Sequence, residues 1–297
     1  MTAGPQTSWL PDGRRLHLNH GPIDLIVEAW GEAEEVRHAY GQAVERFQTI
    51  LTELVAELPE LRKAVRDETP PAAAFLSPTA RRMHAAVLPF APGTFITPMA
   101  AVAGAVADEM LAALVAGRRL DKAYVNNGGD IALHLAPGAS LQLAVAGVGN
   151  GFGDRLAIPH RSPIRGVATS GWRGRSFSLG IADAVTVLAR DAASADAAAT
   201  IVANAVDLPG HAAIARRPAR QLQPDTDLGD MLVTTGVGRL SAGEVEAALD
   251  AGMRRADELL GRGLLDGAVL FLAGTVRVVG AGARALVTDN SEAGVLA

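Results

Sequence analysis

The run Ser194-Ala-Asp-Ala-Ala-Ala-Thr200 sets a carboxylate and a hydroxyl four positions apart. In a helix that spacing puts Asp196 and Thr200 one turn apart on one face. The run follows the strand-like Ala184-Val-Thr-Val-Leu-Ala189, and Ser194 is placed to cap the first free amides of a new helix. An acid and an alcohol at the positive end of a helix suit a hard cation that is holding phosphate. The same letters also describe an ordinary capped helix packing its alanines on a sheet, and spacing alone favours that reading.

Other segments could share such a site. Val125-Asn126-Asn127-Gly128-Gly129-Asp130-Ile131 offers a turn where backbone comes close to a ligand, and Ala168-Thr169-Ser170-Gly171 offers two hydroxyls and free amides. Thr169-Ser170-Gly171 is expected to act through a backbone turn, because Ser170 lacks the GxSxG setting of an acylating serine. Arg173 and Arg175 could meet a phosphate or carboxylate, or form a solvated hairpin tip. Asp183 is a candidate catalytic group, either a turn carboxylate or a partner for Arg175 or the metal. Among seven scattered histidines none pairs as a metal motif, and His160 is the candidate base. Asp108 is expected to accept amides of the Asn-Gly-Gly-Asp loop. Gly147-Val-Gly-Asn-Gly-Phe-Gly153 does not fit GxGxxG and leads into no helix, so a wide turn is expected there.

The elements that must position these groups are readable in outline. Arg15–Asn19 and Asp24–Ala29 read as strands. Val36, Tyr40, Val44, Phe47, Leu51 and Leu58 keep one face of a long helix apolar from about Glu32, with Pro59 expected to end it. Residues 67–78 read as a connection. Thr97-Pro98 opens a second helix in the favoured order of cap and proline, running to about Ala116. Ala123–Leu135 reads as a strand interrupted at the Asn-Gly-Gly-Asp turn. Leu141–Val148, Ile164–Thr169 and Ala184–Ala189 read as further strands. Ser241 with Glu244 forms a capping box for a third long helix to about Leu260, and Val269–Leu272 with Val276–Val279 makes a closing hairpin. Strands in runs and isolated long helices favour an α+β fold with mostly antiparallel or mixed strands. The expectation is a single domain over residues 1–297, with room for two subdomains meeting at the site.

Composition narrows the class. The 297 residues are 49% apolar and 20% charged, a folded balance, and the 4% aromatic content calls for a core of small aliphatic side chains with close backbone approaches. A net charge of −5 argues against nucleic-acid binding, and Arg216-Arg217-Pro218-Ala219-Arg220 reads as a solvated loop. Cysteine is absent, which removes disulfides, thiol nucleophiles and cysteine-based zinc sites. The apolar stretch Ala86–Ala107 holds three prolines, a poor membrane span, and no signal peptide is evident. A cytoplasmic protein without a membrane or nucleic-acid partner is the expectation. A homodimer through sheet edges or the alanine-rich helix is expected too.

Taken in order, Gly104-Ala-Val-Ala-Asp108, the Asn-Gly-Gly-Asp turn, Thr169-Ser170-Gly171 and Ser194–Thr200 resemble the ApbE-like superfamily, whose best-known members are FAD:protein FMN transferases. The likeness is strongest to its branch of short conserved proteins carrying a thiamine-biosynthesis label, and it covers roughly residues 97–206. It implies a layered α+β fold. It also implies magnesium on Asp196, Thr200 and a backbone carbonyl near Val102, bridging a pyrophosphate. A flavin such as FAD or FMN would lie near Asn127, Gly128, Gly129, Asp130, Thr169, Ser170, Gly171 and Arg175. The chain departs from the transferases in two places. Val102-Ala103-Gly104 stands where they carry Ala-Lys-Gly. Trp172–Asp183 stands where they carry His-Ile-Ile-Asp-Pro. The resemblance therefore implies either a magnesium-dependent transferase or hydrolase for a flavin or related cofactor pyrophosphate, or a non-catalytic flavin or pterin carrier, sensor or scaffold.

Overall fold

Leu16, Leu18, Ile23, Leu25 and Val27 are buried at alternate positions, and they build two antiparallel strands, β2 (Leu16–His20) and β3 (Ile23–Gly31), paired Leu18 to Leu25. The computed structural model describes residues 4–66, 74–91, 93–144, 155–281 and 283. These group into two units. The first is drawn from Met1–Leu141, Ile158–Val167 and Arg190–Asp196; the second from Gln142–Ala157, Ala168–Ala189 and Ala197–Ala297.

In the first unit β1 (Gln6–Trp9), β2, β3, β4 (Leu120–Asn127), β5 (Asp130–Leu135) and the start of β8 (Gly166–Ser170) are neighbours in that order. The pairs β1–β2, β2–β3, β3–β4 and β4–β5 are all antiparallel. α1 (Ala33–Leu61) lays Ala39, Tyr40, Ala43, Phe47, Ile50 and Leu54 against this layer. Pro59 lies inside α1 and does not end it. Its fixed φ is helical, and so near the C-terminus its missing amide costs only one late hydrogen bond. α2 (Pro78–Val87) went unread in the sequence although Ser77 caps it and Pro78 opens it. Thr97 caps the second expected helix as foreseen. The chain first makes a 3₁₀ turn, Pro98–Ala101, and then α3 (Val102–Val115). Pro98–Val115 is the one described helical stretch long and apolar enough to cross a membrane, and over half of it is buried within the protein.

β6 (Ser140–Ala144) and β7 (Arg155–Pro159) form a small sheet of two. The Gly147–Gly153 turn and the end of the Leu141–Val148 strand lie outside the described residues. In the second unit the rest of β8 neighbours β9 (Ala184–Ala189), then β12 (Gly267–Leu272) and β13 (Thr275–Val279). The closing hairpin is present, with Val269 opposite Val278. α4 (Ala192–Ala205) has Ala195, Ala197, Ala198 and Ala199 wholly buried, the small-residue core that composition calls for. Arg216–Pro218 is not a loop: it belongs to β10 (Ile214–Pro218), paired with β11 (Leu232–Val237) and followed by the short α5 (Ala219–Leu222). Arg216 there pairs with Asp207. Helices on sheets with antiparallel pairing make the fold α+β.

α6 (Ala242–Gly261) carries the expected box. The Glu244 carboxylate accepts the Ser241 amide at 2.7 Å, and the Ser241 hydroxyl accepts the Glu244 amide at 3.4 Å. Ser241→Ala is expected to cost about 1 kcal/mol, read as a lower urea midpoint at unchanged m-value.

Candidate functional site

Two helix starts meet in the first unit at Gly104. A Cβ there would stand 2.2 Å from the Ala192 carbonyl oxygen, so only glycine lets α3 approach the first turn of α4 this closely. That closeness lets each helix cap the other. Asp108 lies one turn beyond Gly104, and its two oxygens accept the amides of Ala192 (3.0 Å) and Ala193 (2.8 Å). In return, Asp196 Oδ2 accepts the Gly104 amide at 3.1 Å, and the Ala103 amide also donates to this carboxylate. The Ser194 amide donates to Asp191 Oδ1 at 2.7 Å.

Two expectations change here. Asp191, not Ser194, caps α4, and aspartate is as good a cap as serine. Asp108 binds the start of α4 and not the Asn-Gly-Gly-Asp loop. The positive end of α4 is therefore already met by the chain's own carboxylates. A phosphate held near Asp196 would need a cation more than that helix end.

The Asn-Gly-Gly-Asp segment is a tight hairpin between β4 and β5, pairing Asn127 with Asp130. Gly128 and Gly129 have φ of 64° and 118°, values that favour glycine, and the Gly129 amide donates to Asn126 Oδ1 at 2.8 Å. Asn127 and Asp130 are buried. Asn127 Nδ2 donates to the Ala103 carbonyl at 3.1 Å. The first unit thus brings Asn127, Asp130 and Asp196 together around residues 102–104. His160 is elsewhere: its Nδ1 meets the Leu135 carbonyl at 2.7 Å, at the far end of β5 from Asp130. Five residue steps along the strand separate those ends by roughly 16 Å.

In the second unit Thr169 and Ser170 are the last residues of β8, not a turn, and Gly171 follows. Thr169 Oγ1 is 2.9 Å from Thr186 Oγ1 of β9. A Cβ on Gly171 would stand 2.6 Å from the Asp183 carbonyl oxygen. Asp183 partners Arg173 and not Arg175. Its Oδ1 accepts Trp172 Nε1 (3.2 Å) and Arg173 Nε (2.5 Å), and its Oδ2 accepts the Ala273 amide (2.7 Å). The Arg173 guanidinium also lies 4.8 Å from the centre of the Trp172 ring. Arg175 is exposed. Thr200 is half-buried on α4, four residues after Asp196.

Electrostatics single out the acids of the helix junction. Burial pushes Asp196 well above the usual carboxylate range, and the nearby charge of Asp130 adds to it. Asp108 is raised to about 7, again mainly by burial. Among the described residues no three His, Asp or Glu side chains gather closely enough to hold a metal by themselves. An ion at Asp196 would have to draw on neutral oxygens as well. Carboxylate, hydroxyl and main-chain carbonyl are the hard donors magnesium takes, so the donor set fits.

Comparison with known proteins identifies the family through one match. A model of the family described as AbpE bacteria matches residues 7–278. Curated relatives named UPF0280 protein are 42% identical over 116 residues in Methanothrix thermoacetophila and 40% over 114 in Archaeoglobus fulgidus. Each match takes in 37% of this chain, and it covers 46% and 45% of those proteins, less than half their length. Among solved structures, an ApbE protein from Thermotoga maritima superimposes with a TM-score of 0.48 at 14% identity, over 95% of this chain and 99% of that one. Apo flavinyl transferase ApbE from Pseudomonas stutzeri gives 0.44 at 12%, over 95% and 96%. With the family model spanning nearly all of its length, the chain belongs to this bacterial ApbE-like family.

Proposed function

We propose that the protein binds a flavin or related cofactor pyrophosphate through magnesium, and acts on it as a transferase or hydrolase. The observation that carries this reading is Asp196, an acid held in buried surroundings beside a second acid, Asp130, with the N-terminal turn of α3 against it. A desolvated acid of this kind in a family of cofactor enzymes is a candidate ion ligand. Asp196, Thr200 and the Val102 carbonyl would hold the ion. Gly128, Gly129 and Asp130 would shape the ligand's place. Bound magnesium would neutralise charge on the pyrophosphate oxygens and so weaken the bond to be broken.

A second reading has its own support. Both oxygens of Asp183 and Nδ1 of His160 already have partners. The lysine of the transferases is also replaced by Ala103. A protein that keeps the pocket as a carrier, sensor or scaffold needs no free acid or base, and these facts favour it over FMN transfer.

Thermal unfolding with FAD, FMN and ATP, each with and without magnesium, separates the two. A ligand at a hundred times its dissociation constant adds about 2.7 kcal/mol. The first reading expects stabilisation only when magnesium and the cofactor are both present, and expects Thr200→Val, which keeps shape and removes the hydroxyl, to abolish that increment. Stabilisation by cofactor alone, untouched by Thr200→Val and without turnover, supports the carrier.

A further inference from the structure

Asn127 is 5% exposed, and its amide nitrogen is spent on the Ala103 carbonyl at 3.1 Å. Ala103 sits in the opening turn of α3. That helix starts on Ala101 without any side-chain cap of its own. Its first amides are left to Asp196, through Ala103 and Gly104. The opening turn is therefore held from two sides: a carboxylate from α4 takes its amides, and a carboxamide from the end of β4 takes its carbonyl. An ion on Asp196 would compete with those amides for the same oxygens, and the tie from Asn127 would then be what keeps residues 102–104 in place.

Resting on the magnesium reading above, we propose that Asn127 is a positioning residue of the ion site. It acts through the Ala103 main chain and does not contact ion or cofactor. Its chemistry makes the claim sharp. Only a donor can hold a carbonyl, so aspartate at this position would lose the tie while adding a negative charge beside Asp130 and Asp196.

The test is magnesium titration by calorimetry, with hydrogen exchange of the Ala103 and Gly104 amides in the metal-free protein. Asn127→Asp and Asn127→Ala are both expected to weaken magnesium binding at least tenfold, and both should speed exchange at those two amides. Gln42→Ala is the control. Its amide caps the other end of α3, on the Ala113 and Ala116 carbonyls, so its loss should lower stability and leave magnesium affinity unchanged. Magnesium binding by Asn127→Asp as tight as or tighter than the parent's would mean a direct contact and overturn the proposal. So would unaltered affinity or exchange in Asn127→Ala, which carries the test alone if the aspartate variant does not fold. If the parent protein takes up no magnesium, the ion reading itself fails and this inference falls with it.

Discussion

Gly166→Ala and Gly104→Ala should each cost at least about 3 kcal/mol, more than most overpacking substitutions, because the atoms met are backbone and cannot rotate away. A Cβ on Gly166 would stand 2.0 Å from both the carbonyl carbon and oxygen of Asp191, and 2.3 Å from the Ala192 amide nitrogen. One on Gly104 would meet the Ala192 carbonyl at 2.2 Å and the Ala193 nitrogen at 2.8 Å. Both glycines thus press on the same short stretch, 191–193, the first turn of α4. Moving that stretch would also pull Ala192 and Ala193 off Asp108, so each variant loses hydrogen bonds as well as packing. Because the two share a target, the double variant should cost less than the sum. Gly243→Ala supplies the contrast: its Cβ would meet nothing within 4 Å in the first turn of α6, and it should stabilise by roughly 0.4–1 kcal/mol. Denaturant titrations of the four variants and the parent decide it. A Gly166→Ala protein as stable as the parent would mean that the helix junction is not tightly clamped.

What the sequence disclosed follows from the range of the interactions involved. The Ser241–Glu244 box and the Thr97-Pro98 start are written within a few residues, and both were legible to the residue. The Gly128-Gly129 hairpin was legible for the same reason, since a tight turn needs its glycines in sequence. β1 was missed because all four of its residues are exposed and carry no alternation. α2 was missed despite Ser77-Pro78, because its apolar stripe is interrupted by Arg81 and Arg82 and it carries the buried His84.

The site was half legible. Asp196, Asn127 and Asp130 could be listed from their motifs, but their roles depend on partners far along the chain. Asp108 reaches 84 residues to Ala192, Asp196 reaches 92 residues back to Gly104, and Asn127 reaches 24 to Ala103. No local pattern tells a capping carboxylate from a metal-binding one when the helix it caps is another helix. Gly104 was the available clue: a glycine inside a helical pattern costs stability unless something comes close to it.

Asp108→Ala should cost about 1–3 kcal/mol for each of the two amides it orphans, since Ala192 and Ala193 are buried. Asp108→Asn should cost less. Its oxygen keeps one amide, while its own amide group faces the other. The two variants also differ from the parent in their response to pH. Two donated amides favour the ionised form of Asp108, yet burial and the charge of Asp191 outweigh them and hold the group near 7 against an ordinary 3.8. Between those values the folded chain keeps a proton that the unfolded chain has released. Stability should therefore fall as pH rises from about 4 to about 7 and level off above. Asp196, raised for the same main reason, contributes in the same sense, so replacing Asp108 should flatten the slope without abolishing it. Urea midpoints measured from pH 4 to 8 test this directly. Parallel profiles for the parent and Asp108→Asn would show that the carboxylate is ionised in the folded protein throughout. The reciprocal caps would then be a pair of charged clamps, in place of the proton-holding junction that burial argues for.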